Sequence, residues 1–304
     1  MPSIRTTSPG FALGHFLPLA QVQGGGYVTT GKTFYVDSVT GSDSNSGRRP
    51  TAALATLTQA ISLTTASKGD MIQVMPGHAE TRTASITVNK AGITIMGLGE
   101  RNQRPILTGN FAGDLVTITA AGVVLDNIRF AAPLTDAQTA HVNVAGAGVT
   151  LRNLHMLGSV GSENVVDGIT LATGADDCLI EGLRMFNTVV DMVNGIAIEA
   201  AVARLEIKFC TLMGTFSTAA LSDAATATLA HIHHSTFKNT KAATAVVTFT
   251  TGNTTGVMEH CFVSGRHTTI ASNLVEGTGM DFHQVFVVEE AVKNGLLEPG
   301  VDAD

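Results

Sequence analysis

One short phrase recurs down the chain and constrains the fold more than any other feature. It runs apolar, spacer, apolar, then a turn residue, then apolar, spacer, apolar. It stands as Ile93-Thr94-Ile95-Met96-Gly97-Leu98, as Val123-Val124-Leu125-Asp126-Asn127-Ile128-Arg129-Phe130, as Val149-Thr150-Leu151-Arg152-Asn153-Leu154-His155-Met156, and as Cys178-Leu179-Ile180-Glu181-Gly182-Leu183-Arg184-Met185. Weaker copies begin at Leu205, Ala230 and Met258. The second apolar position falls at 95, 125, 151, 180, 207, 232 and 258, so successive steps are 30, 26, 29, 27, 25 and 26 residues. Such a unit is too short for a propeller blade, lacks the helical stretch of ankyrin or tetratricopeptide units, and lacks the LxxLxL phrase of leucine-rich repeats. A parallel β-helix is what remains.

A second alternating run lies between the copies, at Leu115–Thr119, Val142–Val144, Ile169–Leu171, Ile196–Ile198 and Val246–Phe249. Period-two alternation marks half-buried strands, so each coil carries at least two. The column Asn127, Asn153, Gly182, Phe209, His234 and His260 marks the bend after the first strand, where the backbone favours residues tolerant of the left-handed region. At a strand spacing of about 4.8 Å, seven coils make a prism roughly 30 to 35 Å long, with further coils at both ends.

Composition agrees with an all-β solenoid. Of 304 residues, 44% are hydrophobic and 14% charged, which excludes a disordered chain. Lys and Arg number 18 against 25 Asp and Glu, a net charge of -7, so no generally basic surface is available for nucleic acid. No apolar stretch approaches the roughly 18 to 20 residues of a membrane helix, and the Pro- and Gly-broken N-terminus is a poor signal peptide. Synthesis in a cytoplasm is the expectation. Cys178, Cys210 and Cys261 are too scattered for a disulfide framework or a zinc site, and read as reduced core fillers, the last two in the column of Leu98, Ile128, Leu154 and Leu183.

Three segments follow from the pattern. Residues 1–33 form an extended arm, residues 34–285 the β-helix, and residues 286–304 a C-terminal tail. Within the β-helix, residues 51–66 place Leu54, Leu57, Ala60 and Ile61 at helical spacing, which predicts an amphipathic cap over the open end of the stack. The loop Gly41-Ser42-Asp43-Ser44-Asn45-Ser46-Gly47 lacks the acidic count and closing Glu of a calcium loop and reads as a turn-rich connection. The arm carries Phe11, Leu13, Phe16, Leu17 and Leu19 among Pro and Gly. Such a segment builds no core alone; it either folds back along the prism or docks on another protein. Val288, Ala291 and Val292 before Gly295 suggest a short helix in the tail.

The run Tyr35-Val36-Asp37, the loop 41–47, Pro50, Ala53, Thr56-Leu57 and Ala60-Ile61 resembles the opening segment of pectate-lyase-like right-handed β-helix proteins. Val74-Met75-Pro76-Gly77-His78-Ala79-Glu80, the stretch Ala91–Gly99 and Arg104-Pro105 resemble a version common among virion proteins of tailed bacteriophages. The likeness covers roughly residues 34 to 265. It implies a fold that hosts lyases, hydrolases, spikes and inert structural parts alike.

Candidate chemistry is sparse. The adjacent pair Asp176-Asp177 would point to opposite faces of a strand, and the His and Arg-Ile-Lys phrases of the β-helix hydrolases do not stand in this sequence. Sugar grooves stack rings on Trp or Tyr; here there is no Trp, only Tyr27 and Tyr35, and the 13 Phe read mostly as strand core. Histidines gather late, at His231, His233, His234, His260, His267 and His283, where a metal or pH-sensitive patch is geometrically possible and exposed turn histidines are the simpler reading. His78 near Glu80 carries no further weight. The expectation is a non-enzymatic virion structural protein without cofactor, metal or catalytic residues, and without nucleic-acid or membrane partners. It decorates or cements a capsid by docking Phe11, Leu13, Phe16, Leu17 and Leu19 on the major capsid protein or another virion protein. A homotrimer is implied by resemblance only. The alternative is a tail spike or fibre part that binds or depolymerises host surface polysaccharide.

Overall fold

A computed structural model describes residues 29–134, 137–160, 163–242, 244–249, 254–266, 275–277 and 279–289. The chain is a right-handed parallel β-helix. Its first sheet contains ten parallel strands: Thr33–Val36, Met71–Val74, Thr94–Gly97, Val124–Asp126, Thr150–Arg152, Leu179–Glu181, Glu206–Lys208, Ala230–His233, Gly256–Glu259 and Met280–His283. Their register places Ile95, Leu125, Leu151, Ile180, Ile207, Ile232 and Met258 in one column, which are the seven positions the repeat picks out. The column continues to Ile72 and Phe34 on one side and Phe282 on the other, supplying the further coils.

The chain bends after the last seven of these strands at Asn127, Asn153, Gly182, Phe209, His234, His260 and Gln284, all with φ between 50° and 65°. Asn127 suits that conformation because its side-chain amide donates to the carbonyls of Gly97 and Gly99. A second face follows the bend, and a third carries Ile86–Val88, Val116–Ile118, Gln138–Val144, Glu163–Leu171, Val247–Phe249 and Val275–Gly277. The strands Arg184–Ile198 and Thr211–Asp223 run through both of these faces, with register shifts between Asn187 and Asn194. Inward side chains from all three faces merge into one core, whose largest fully buried members are Phe130, Phe216, Phe237 and Phe249.

Several boundaries differ from the sequence reading. The helix spans Leu57–Leu63, preceded by a 3-10 turn at Pro50–Ala52, because Thr56 caps it by accepting from the Gln59 N–H. Leu54 is buried outside the helix, bridged to Val36 in strand fashion. Asp43 accepts from the N–H groups of Ala55 and Thr56 and from the Thr56 hydroxyl, so the 41–47 loop serves the helix start. The last strand of the second sheet is Phe286–Glu289, paired with Phe262–Arg266. The stack therefore extends beyond residue 285, and Val288 lies in a strand rather than a helix. At the other end Lys32 accepts from Met71 N–H through its carbonyl and donates its own N–H to Asp70, so the close of the expected arm already belongs to the stack. Phe11, Leu13, Phe16, Leu17 and Leu19 lie outside the described residues.

The three thiols are buried, as expected, and burial pushes them up to about 11 for Cys178 and Cys261 and about 12 for Cys210. Ile128, Leu154, Leu183, Cys210 and Cys261 are buried, but Leu98 is only half-buried and borders a surface cleft. His78, set aside in the sequence, is fully buried. Its Nδ1 accepts from Ser38 N–H at 3.0 Å, so its proton sits on Nε2 and is donated to Glu80 at 3.2 Å. Burial raises the Glu80 carboxyl, but His78, the Leu57 N–H and Arg82 outweigh it and hold the group below its ordinary value. One buried carboxylate thus ties the capping helix to the coil beneath it.

Candidate functional site along the turn edge

Two rows of side chains flank the left-handed bend. On the first-sheet side the register is Met96, Asp126, Arg152, Glu181, Lys208, His233, Glu259 and His283. From Asp126 to Lys208 the charges alternate, as an in-register parallel stack requires, since each side chain sits about 4.8 Å from its neighbours in the ladder. Arg152 bonds Asp126 at 3.1 Å, and Lys208 bonds Glu206 at 2.8 Å.

The row beyond the bend breaks this rule. Its register is Ile106, Arg129, His155, Arg184, Thr211, Thr236, Phe262 and Phe286. Two guanidinium groups flank an imidazole, and Arg104 lies within electrostatic reach of all three. Among the described residues, the side chains of Arg104, Arg129 and Arg184 have no hydrogen-bond or ion-pair partner. Nε of Arg104 and of Arg129 is shielded from solvent and unpaired. Burial, then the charges of Arg129, Arg104 and Arg184, push His155 below its ordinary value, so the ring is neutral at pH 7. Burial and the Arg184 charge likewise lower Arg104, only partly offset by Asp126 and Glu100.

Arg104 and Arg184, with Arg101, line a cleft of about 520 Å³ whose wall also carries Glu100 and Asp126; Arg129 and His155 lie outside it. Phe186, outside the cleft, is half-exposed and edge-on to His155 with ring centroids 6.0 Å apart. Toward the C-terminal end the same edge turns aromatic. Phe209, Phe262 and Phe286 are exposed, and with His234 and His260, whose rings stack at 4.9 Å, they line a second cleft of about 450 Å³. The expectation that Phe belongs mostly to the core is therefore corrected: Phe186, Phe209, Phe262, Phe282 and Phe286 are all exposed. The strand alternation cannot reveal Phe209, Phe262 and Phe286, because the bend residue and the row after it lie off the alternating face, whereas Phe282 continues the core column into the last described coil of the first sheet.

The structure gives Asp176 and Asp177 roles in the bend before the first sheet. Asp176 accepts from Ala203 N–H at 2.7 Å, and Asp177, in the left-handed region, is held below its ordinary value by a bidentate pair with Arg204. They do not converge. A carboxylate that the sequence reading missed is Asp167 on the third face. Burial, with Glu199 and Asp114 nearby, raises it to about 6 despite hydrogen bonds from the backbone and side chain of Asn194. Its signal was the repeated phrase Asp167-Gly168-Ile169 and Asn194-Gly195-Ile196. The glycines are required because a Cβ at Gly168 would meet the Gly195 carbonyl oxygen at 2.6 Å and one at Gly195 would meet the Ala220 carbonyl oxygen at 2.4 Å.

No family model and no curated protein matches the chain. Among solved structures it is similar to pectate lyase Pel9A, at 12% identity and a TM-score of 0.49 over 85% of this chain and 79% of that one. It is similar to a rhamnogalacturonan lyase at 14% identity and 0.45, over 78% and 74%. It is also similar to ORF18 of Geobacillus virus E2, at 11% identity and 0.38, over 79% and 59%. These are likenesses of fold and say nothing of activity.

Proposed function

We propose that the protein binds an anionic polysaccharide along its turn edge, the part a tail spike or fibre component plays at a host surface. The observation that carries this is the column Arg129, His155 and Arg184 with Arg104, whose guanidinium groups have no hydrogen-bond or ion-pair partner among the described residues, in a molecule that alternates charge in the row beside it. Like charges two coils apart, with no opposite charge on the coil between them, oppose folding, and a fold keeps such a conflict where a ligand resolves it. Guanidinium groups accept a carboxylate in a two-bond fork, and a linear acidic chain lying along the solenoid axis offers its carboxylates at regular intervals, as the coils offer Arg129 and Arg184. Phe186 supplies an apolar ring face beside the cations for a sugar to rest on.

The net charge of -7 favours a local site over general attraction to polyanions. The capsid-decoration reading, with its trimer and its docking on a major capsid protein, depends on the arm residues from Phe11 to Leu19. The described surface favours the glycan reading. The test is binding of polygalacturonate, alginate and a neutral glucan to the full chain by calorimetry, beside the triple variant Arg104→Gln, Arg129→Gln, Arg184→Gln. Saturable binding of an acidic glycan that the triple variant loses supports the proposal. Equal binding by both proteins, or preference for the neutral glucan, overturns it.

A further inference from the structure

At the other end of the first sheet, three strands bring imidazoles and carboxylates together. His231 and His233 alternate on the strand Ala230–His233 and so share one face, their rings stacked at 4.2 Å. Glu206 lies on the preceding strand opposite His231, and Glu259 on the following strand opposite His233. The contacts run diagonally: His233 Nε2 is 3.3 Å from Glu206 Oε1, and His231 Nε2 is 2.8 Å from Glu259 Oε1. One donor atom from each of Glu206, His231 and His233 falls within 4.8 Å of the other two.

We propose that Glu206, His231 and His233 form a Zn²⁺ site, with Glu259 the nearest fourth ligand. With Zn–N and Zn–O bonds near 2.0 to 2.1 Å, ligand atoms around a tetrahedral ion sit about 3.3 Å apart. The Glu206–His233 diagonal of 3.3 Å equals that separation and the His231–Glu259 diagonal of 2.8 Å is shorter, so the pairs need only open slightly by side-chain rotation to admit the ion. Two imidazoles and one or two carboxylates suit zinc rather than calcium or magnesium, which demand oxygen donors throughout. The second shell is present as well. His233 Nδ1 lies 2.9 Å from His234 Nδ1, so a proton on His233 Nδ1 is donated to His234 and leaves Nε2 free to ligate. Lys208 is the competitor, its ammonium bonded to the same Glu206 Oε1 at 2.8 Å. Bound zinc would replace that bond and cross-link the strands Glu206–Lys208, Ala230–His233 and Gly256–Glu259. The site goes beyond the glycan reading and does not depend on it.

The test titrates the EDTA-stripped full chain with Zn²⁺ by calorimetry and with Co²⁺ by visible absorption. One ion per chain is expected, with an intense tetrahedral Co²⁺ spectrum and a raised melting temperature. His233→Ala and Glu206→Gln each weaken binding by about a hundredfold or more, whereas Lys208→Met tightens it about tenfold by removing a competing unit charge. His260→Ala, whose ring lies 3.8 Å from Glu259 Oε2 and on the His234 ring, weakens binding by no more than about threefold. Absence of binding at millimolar Zn²⁺, binding indifferent to Glu206→Gln, or loss through His260→Ala instead would overturn the proposal; the last would place the ion on the His234 and His260 stack.

Discussion

Replacing Arg129 by Gln separates the binding role of the cationic column from its structural cost. Arg129 and Arg184 sit two strands apart, about 9.6 Å at the usual strand spacing. Two unit charges at that distance repel by about 0.4 kcal/mol in water and about 1.7 kcal/mol at an effective dielectric of 20. Arg184 is exposed, so the lower half of that range applies, and Arg104 adds repulsion of the same sign. Gln keeps much of the packed stem of Arg129. The variant should therefore be more stable than the parent by about 0.5 to 1 kcal/mol at 10 mM salt, read from urea unfolding midpoints. The difference should vanish in 1 M NaCl, where the screening length falls to about 3 Å. The same variant should bind acidic oligosaccharide about tenfold or more weakly, the worth of one charge-assisted hydrogen bond. A variant less stable than the parent at low salt, or a gain indifferent to salt, would refute the reasoning.

Two further outcomes follow from buried carboxylates of opposite character. Asp167, raised to about 6, holds its proton more tightly folded than unfolded, so its contribution is fully present below pH 3.8 and is lost as pH rises through 6. Asp167→Asn should stabilise the protein by up to about 3 kcal/mol above pH 7 and by nothing below pH 4, in unfolding curves taken across that range; a destabilised variant at pH 8 would contradict this. Glu80 is the reverse case, lowered in the fold, so its contribution is present above the ordinary carboxylate range and lost as pH falls through its folded value. Glu80→Gln should cost about 2 to 4 kcal/mol at pH 7 and expose the Leu57–Leu63 amides to hydrogen exchange first, whereas unaltered exchange there would show that the carboxylate does not tie down the helix.

The solenoid was legible because a coil stack forces one residue type per column, and the columns of Ile95 and Ile169 repeat with little variation. The basic column was equally present in the text, as Arg129, His155 and Arg184 two places after each bend. It does not stand out because the repeat is defined by its apolar positions, between which the outward residues vary freely. Spatial partners were harder to see. Glu80 bonds a helix N–H 23 residues away, and Glu206 meets His233 27 residues away, separations that only the register of coils converts into contact. The helix limits failed for a local reason: Leu54 keeps helical spacing from Leu57 and Ile61 but pairs with Val36 as a strand does. The bend column already sets Phe209 off the core; the residue type obscures this, because an aromatic in the left-handed region is rare and here the stacking of bends with Gly182 and His234 imposes it.

Binding of a defined acidic oligosaccharide, followed by NMR on the full chain, tests the central claim most directly. Shifts confined to His155, Phe186 and the side chains of Arg104, Arg129 and Arg184, abolished in the triple Gln variant, are the expected result. Shifts centred elsewhere, or none at millimolar ligand, would contradict it.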